Sequence, residues 1–340
     1  MTNQMPARPV SSSIRVRAPG RLHLGFLDLN GGLGRRFGSL GLAIDQPATE
    51  IIVRRADGLV TSGAESRRAA AAAIKVVDAF GLRIGHEIEV REAIPAHAGL
   101  GSGTQIALAV GAALLKLEGR SVPAEEIGDA LDRGARSAIG MAAFDHGGFV
   151  VDGGRGAAER PPPVVMRHPF PDDWRILLVL DRNETGVHGD KEAKAFANLA
   201  PFPDERSGHL CRLVMMRLAP ALLERDIRGF GSAVSEIQAI VGRHFADAQG
   251  GGLWSSRAVA ELVEGMARAG AVGIGQSSWG PTGFAFVPGE AAARALYHTF
   301  VRDAKARGLE ILVARGRNVG AEIEERTPDT AQVCREGIQK

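Results

Sequence analysis

The run Ile94 to Thr104, IPAHAGLGSGT, lies between a strand-like segment and an apolar stretch. Its glycines Gly99, Gly101 and Gly103 can turn with positive φ and bring backbone N–H groups close to a ligand. A helix starting behind them adds N–H groups without helical partners and the positive end of a dipole. Such a loop suits a phosphate or diphosphate, with Leu100 between the glycines and hydroxyls from Ser102 and Thr104. A tight turn in which Ser or Thr only caps a helix has the same composition. The run is neither GxxxxGKS, for which it lacks the Lys, nor GxGxxG, for which it lacks the spacing.

Other residues carry single signals, each with a plainer reading beside it. His23 could face a cleft or stand on a strand surface. Asp28 and Asn30 precede Gly31-Gly32 and suit either a site or a turn. Arg35 and Arg36 could grip a phosphate or carboxylate with a planar fork, or lie in a solvated loop. Asp145-His146 before Gly147-Gly148 could bring a carboxylate and an imidazole to a strand entrance. Trp279, in a Gly/Ser loop, is a candidate platform for a ligand ring. His188 with Asp190 and Glu192 reads as a solvated helix start. No acidic pair has metal-site spacing.

These residues need elements to position them. Ile14, Val16 and Ala18 alternate with arginines, and Leu22, Leu24 and Phe26 alternate with Arg21, His23 and Gly25. Period two on both sides of Pro19-Gly20 predicts two short strands or one bent strand. Residues 31–41 are glycine-rich and predict a loop. Helices are expected over 66–80, closed by Gly81, over 104–117, and from Ser121-Val122-Pro123 to near Gly134. Strands are expected at 86–92, 149–151, 175–180, 284–287 and 309–313. The region from 181 to about 269 reads as mainly helical, and 290–306 as an amphipathic helix. Pro161–Pro163 and 169–173 mark a candidate domain junction. The non-alternating order of helices and strands favours α+β over a doubly wound sheet.

Composition narrows the function. A chain of 340 residues suggests two domains at roughly 150 residues each. The apolar fraction of 45% and charged fraction of 24% are ordinary globular values. Lys and Arg total 41 against 39 Asp and Glu, a net +2, so no broad field calls for nucleic acid or an anionic membrane. The longest apolar runs, such as Ile106 to Leu115, stop at about ten residues, half of what spans a bilayer. Residues 1–13 lack the apolar core of a signal peptide and read as a frayed terminus. Cys211 and Cys334 form no disulfide framework or zinc motif, so a reducing, cytoplasmic compartment is expected.

Three stretches together resemble the GHMP kinase superfamily: APGRLHLG (18–25) with Asn30-Gly31-Gly32, PAHAGLGSGT (95–104), and GQSSWGPTG (275–283). Within it the text RLHLGFLDLNGGLGRRFGSLGLAID, RSAIGMAAFDHGGFVVDGG and GQSSWGPTGFAF is similar to the β-ribofuranosylaminobenzene 5′-phosphate synthase family of methanopterin biosynthesis. That resemblance implies an α+β GHMP fold with an N-terminal domain over 14–165 and a ferredoxin-like C-terminal domain over 166–330. It implies a transferase that joins 4-aminobenzoate to phosphoribosyl diphosphate, releasing CO₂ and diphosphate, with Mg²⁺ as cofactor. Small-molecule partners are expected, with neither nucleic acid nor membrane, and a homodimer is one expected assembly.

The resemblance makes Asp145, His23 and Arg21 the catalytic candidates. Gly99, Leu100, Gly101, Ser102, Gly103, Thr104, Asp28, Asn30, Arg35, Arg36, Ser277, Ser278, Trp279 and Gly280 become the candidate phosphate and substrate contacts; metal ligands stay unassigned. Two departures from kinase text matter. Gly103 replaces a serine hydroxyl used near nucleotide and magnesium. Ser137-Ala138-Ile139-Gly140 stands on the kinase S-G-I-D stretch, so Gly140 takes the place of a catalytic Asp and cannot act as a base. Asp145 is near enough in sequence to substitute. An ATP-dependent small-molecule kinase of the same fold is the rival reading, and a catalytically silent ligand-binding relative is a third.

Overall fold

The computed structural model describes residues 12–157, 160–186, 189–249 and 251–326. Most of the expected frayed terminus, His188, and residue 330 at the expected end of the second domain lie outside the described residues.

The period-two segment is one bent strand, β1 (Ser13–Asp28), with register breaks at Pro19/Gly20 and His23/Gly25. It pairs antiparallel with β2 (Phe37–Arg55), which begins inside the stretch expected to be a loop. Residues 31–35 are the expected loop, whereas Gly41 lies in the strand and serves packing: a Cβ on it would overlap Ile139 of the helix lying across the strand. β3 (Val60–Gly63) runs parallel to β4 (His86–Glu92), which pairs with β2. α1 (Ser66–Phe80) ends at Gly81 in the left-handed conformation, as the sequence predicts.

α2 (Ser102–Leu117) is the central helix, buried on most sides against α1 and the first sheet. α3 (Ala124–Ala130) stops short of Gly134 because Asp132 and Gly134 take positive φ. A short helix that the sequence reading did not anticipate, α4 (Ile139–Asp145), leads to β5 (Phe149–Asp152), which pairs with β2 and with β6 (Val164–His168).

The second sheet starts at β7 (Arg175–Asp181). α5 (Gly189–Ala197), α6 (Asp204–Leu213), a π-helical turn at Val214–Leu218, α7 (Ala219–Leu223), α8 (Ile227–Phe245) and α9 (Arg257–Arg268) follow. β8 (Val272–Gln276), β9 (Gly283–Val287), α10 (Glu290–Ala306) and β10 (Leu309–Ala314) complete it. The antiparallel order β10-β7-β9-β8 is the ferredoxin-like arrangement, in which the first and third strands lie at the centre. The chain then returns: β11 (Glu322–Arg326) pairs with the outer side of β1 in the first sheet. Leu22, Leu24 and Phe26 of β1 share one apolar cluster with Ile176, Phe230 and Phe284, so β1 packs onto the second sheet's layer.

Candidate active site

The three glycine-bearing stretches meet at one place. Ser277 is fully buried and joins them: its Oγ donates to the Gly99 carbonyl (2.7 Å) and accepts from the His23 amide (3.0 Å). The Arg21 amide donates to the Leu100 carbonyl (3.1 Å), and the Arg21 guanidinium donates to the Gly99 carbonyl (2.6 Å). Gly99, at φ +79°, is pressed so close that a Cβ would overlap the Ser277 carbonyl oxygen. Only a glycine allows this contact.

Gly101 (φ +85°) stands at the N-cap of α2 with no side-chain cap. Its carbonyl accepts from the Thr104 and Gln105 amides (both 3.0 Å). The amides of Ser102 and Gly103, at the first two helical positions, have no partner within the helix by its geometry. They head a cleft of about 350 Å³ lined by residues including Arg21, Arg68, Gly99, Gly101, Ser102, Gly103, Thr104 and Arg133. A second hollow of about 280 Å³ shares Arg21, Thr104, Arg133, Ser278 and Trp279 with it and adds His23, Phe26, Arg136, Ser137 and Phe196. The first part is cationic, and the second carries the aromatic wall.

His23 is buried beside Phe26, with ring centroids 4.6 Å apart. Burial, then the charges of Arg21 and Arg136, push its imidazole down to about 3, so it is neutral at ordinary pH. Trp279 is buried with one face stacked on Phe196 (4.8 Å, 12°) and its edge region against Phe245 (4.9 Å). Its indole N–H has no hydrogen-bond partner among the described residues. Arg136 lies over the Phe196 ring at 4.7 Å, placing a cation at the rim of this wall.

Of the expected site residues, Arg21, His23, Gly99, Gly101, Ser102, Gly103, Thr104, Ser278 and Trp279 line the joined clefts. Leu100 points into the core, while Ser277 and Gly280 hold the loops through hydrogen bonds, Gly280 N–H to the Ser277 carbonyl (3.1 Å). Asp28, Asn30, Arg35 and Arg36 do not line these clefts. Asp28 accepts from the Asn30 and Gly31 amides and from Ser207 Oγ (3.0 Å), and the Asn30 side chain bonds Asp204. Arg35 donates to the Gly153 and Gly154 carbonyls and Arg36 to the Leu29 carbonyl, so both brace a loop. Asp145 also stands off the clefts: its carboxylate accepts from the Ala124 amide (3.2 Å) at the start of α3, and burial raises its pKa.

Arg68, Arg133, Arg136 and Phe196 were missed. Arg133 and Arg136, the latter being the first residue of the RSAIG text, bracket Gly134-Ala135, a pairing of cations around a glycine turn that could have been noticed. Arg68 and Phe196 have no local signal, since only folding brings α1 and α5 to the loop. Among the described residues no group of three or more His, Cys, Asp or Glu side chains is placed to hold a metal. Among the described residues the one carboxylate on the cleft wall, Asp132, is paired with Lys75 (2.9 Å).

Fold and site together define a class. Residues 67–150 match the GHMP kinases N terminal domain and residues 218–305 the GHMP kinases C terminal domain. The homoserine kinase structure from Cytophaga hutchinsonii superposes with a TM-score of 0.67 at 20% identity, over 94% of this chain and 100% of that one. Mevalonate diphosphate decarboxylase from Staphylococcus aureus gives 0.63 at 17% identity, over 92% and 98%. At these identities the likeness is one of fold.

Sequence relatives narrow the class. The beta-ribofuranosylphenol 5′-phosphate synthase of Archaeoglobus fulgidus is 36% identical over 327 residues, covering 92% of this chain and 99% of the relative. The protein of the same name from Methanothermobacter thermautotrophicus is 32% identical over 335 residues, covering 90% and 97%. The chain belongs to the beta-ribofuranosylphenol 5′-phosphate synthase family, within the GHMP fold class. No helix among the described residues is long and apolar enough to cross a membrane.

Proposed function

We propose that the protein joins a para-substituted benzoate to phosphoribosyl diphosphate, forming an aryl C-riboside 5′-phosphate with loss of CO₂ and diphosphate. The bond from ribose C1 to the diphosphate oxygen breaks and diphosphate keeps the electron pair. The ring carbon bearing the carboxylate, made electron-rich by the para donor, forms the new bond to C1. The bond to the carboxylate carbon then breaks, CO₂ leaves, and its electron pair restores aromaticity. No ring proton has to be removed, so the chemistry needs no strong base.

The observation that carries this reading over a kinase is the packing of Gly140. Its carbonyl accepts from Gln105 Nε2 (2.8 Å), and a Cβ there would lie 2.9 Å from Thr104 Cγ2. At the position that the resemblance aligns with the kinase carboxylate, a side chain would meet Thr104 of the helix behind the loop. Neutral His23 and the Phe26, Phe196 and Trp279 wall suit the aromatic ring of the acceptor. Magnesium would then enter bound to diphosphate oxygens rather than to a set of carboxylates. The resemblance implies 4-aminobenzoate as acceptor, whereas the relatives' name contains a phenol and points to 4-hydroxybenzoate.

The purified protein with Mg²⁺ and carboxyl-labelled 4-hydroxybenzoate or 4-aminobenzoate should release labelled CO₂ only when phosphoribosyl diphosphate is present, with an equal amount of diphosphate. Benzoate without a para donor should react far more slowly. Retention of label from both acceptors, together with ATP consumption on an alcohol, would hand the assignment to the kinase.

A further inference from the structure

Gly103 leaves a gap at the head of α2, and two guanidinium groups close over it. A Cβ at this position would lie 2.7 Å from Arg68 Nη2 and 3.6 Å from Arg133 Nη1. Arg68, in the first turn of α1, is anchored by Glu65 (3.1 Å) and reaches Ser102 Oγ (3.4 Å). Arg133 enters from the turn after α3, beside Asp132, whose carboxylate is engaged by Lys75 (2.9 Å). The Arg133 pKa is lowered first by desolvation and then by the charge of Arg68. Two like charges thus meet above amides of a helix start that have no partner within the helix, where an anion would relieve their mutual repulsion. The cleft they border holds Arg21 as well and has no carboxylate among its described lining residues.

We propose that Arg68 and Arg133, admitted by the missing side chain at Gly103, hold the departing diphosphate of the ribosyl donor. This assignment rests on the ribosyl-transfer reading above. Diphosphate carries more charge than the donor's 5′-phosphate, and two planar forks plus two amides offer it several charge-assisted bonds. As the C1–O bond breaks, the electron pair moves onto the oxygen that these groups already face, so its charge grows where the cations stand. A serine at position 103 would push Arg68 aside, so glycine here selects for a protein-borne cation pair over a hydroxyl.

The test is calorimetric binding of inorganic diphosphate and of ribose 5-phosphate to the full chain and to Arg133→Gln, Arg68→Gln and Gly103→Ser. Thermal melts check that each variant folds. Because Arg68→Gln also frees Glu65, Arg133→Gln and Arg133→Lys are the cleaner pair. Arg133→Gln and Arg68→Gln should each weaken diphosphate binding about 10- to 100-fold, with Arg133→Lys recovering part of the loss. Gly103→Ser should also weaken it, and should add little further in the Arg68→Gln background. Ribose 5-phosphate affinity should stay within about threefold in all of them, since the proposal gives these arginines to the diphosphate and not to the 5′-phosphate. Unchanged diphosphate affinity in folded Arg133→Gln, an equal loss for ribose 5-phosphate, or no diphosphate binding by the wild type overturns the assignment. If these arginines govern diphosphate affinity while neither benzoate loses CO₂, the reaction fails and the anion site stands. If transfer proceeds and the variants bind diphosphate normally, the site fails and the reaction stands.

Discussion

At the scale of single residues, contacts in this site are decided by side chains that are absent. Gly99 touches the Ser277 carbonyl, Gly103 admits two arginines, and Gly140 packs beneath Thr104. Each could be read from sequence as a generic turn or helix residue, because a missing Cβ says nothing about which partner comes close. Gly99 gives the sharpest test. Alanine there must adopt φ near +79° and overlap a backbone oxygen that cannot swing away. Left-handed strain of about 1–2 kcal/mol and overpacking of about 1–3 kcal/mol add, so Gly99→Ala should cost roughly 2–5 kcal/mol in urea unfolding. An unchanged midpoint would mean the loop does not press on residues 277–280. By the same logic Asp145, the sequence's acidic candidate, acts in this structure as an acceptor for the first amide of α3.

At the scale of elements, the cationic wall depends on a carboxylate that touches no cleft. Asp152 is fully buried at the end of β5 and accepts from the Ser39 (2.9 Å), Ala138 (2.9 Å) and Gly154 (3.0 Å) amides. It ties the start of α4, and with it the segment bearing Arg133 and Arg136, to β2. Asp152→Ala would leave three buried amides without acceptors, at about 1–3 kcal/mol each. We expect a loss of roughly 3 kcal/mol or more in stability. In protein still folded, KM for phosphoribosyl diphosphate should rise more than kcat falls. A fall confined to kcat would instead make Asp152 part of the chemistry. Helices α1 and α10 were legible to the residue because a Gly cap and an amphipathic period are local signals. β2 and β8 were not, because their glycines and tight packing conceal the alternation that marks a strand.

At the scale of the whole molecule, the neutral histidine links site and stability. The folded-state pKa of His23, about 3, lies below its unfolded value near 6.5, so only the unfolded chain takes up the proton between these limits. Its contribution is complete above pH 6.5 and is lost as pH falls, by about 1.4 kcal/mol per unit. His86 and His244 are lowered in the same direction and steepen the loss, whereas the raised carboxyls of Asp145 and Asp152 oppose it lower in the range. Urea titrations at pH 7, 6 and 5 should show His23→Asn flatter than wild type by about one proton. Parallel slopes would mean His23 is not held neutral.

The sequence by itself determined the class of fold, the family, and the glycine-rich loop that heads the central helix. These reside in contiguous residue types: glycines at fixed spacing, an apolar helix behind them, and three stretches of text in order. Only the tertiary structure decided which cations and which aromatic ring line the joined clefts. Arg68, Arg133, Arg136 and Phe196 come from α1, the turn after α3, the approach to α4, and α5. Apart from the two arginines around Gly134-Ala135, nothing in their neighbours along the chain announces that they converge. Only tertiary structure, too, removed Asp28, Asn30, Arg35, Arg36 and Asp145 from the clefts, because a polar side chain beside a turn serves the turn's own amides and carbonyls as readily as a ligand. The physical reason is that turn chemistry and helix periodicity are short-range, whereas convergence of charge depends on how two sheets and their helices close on each other.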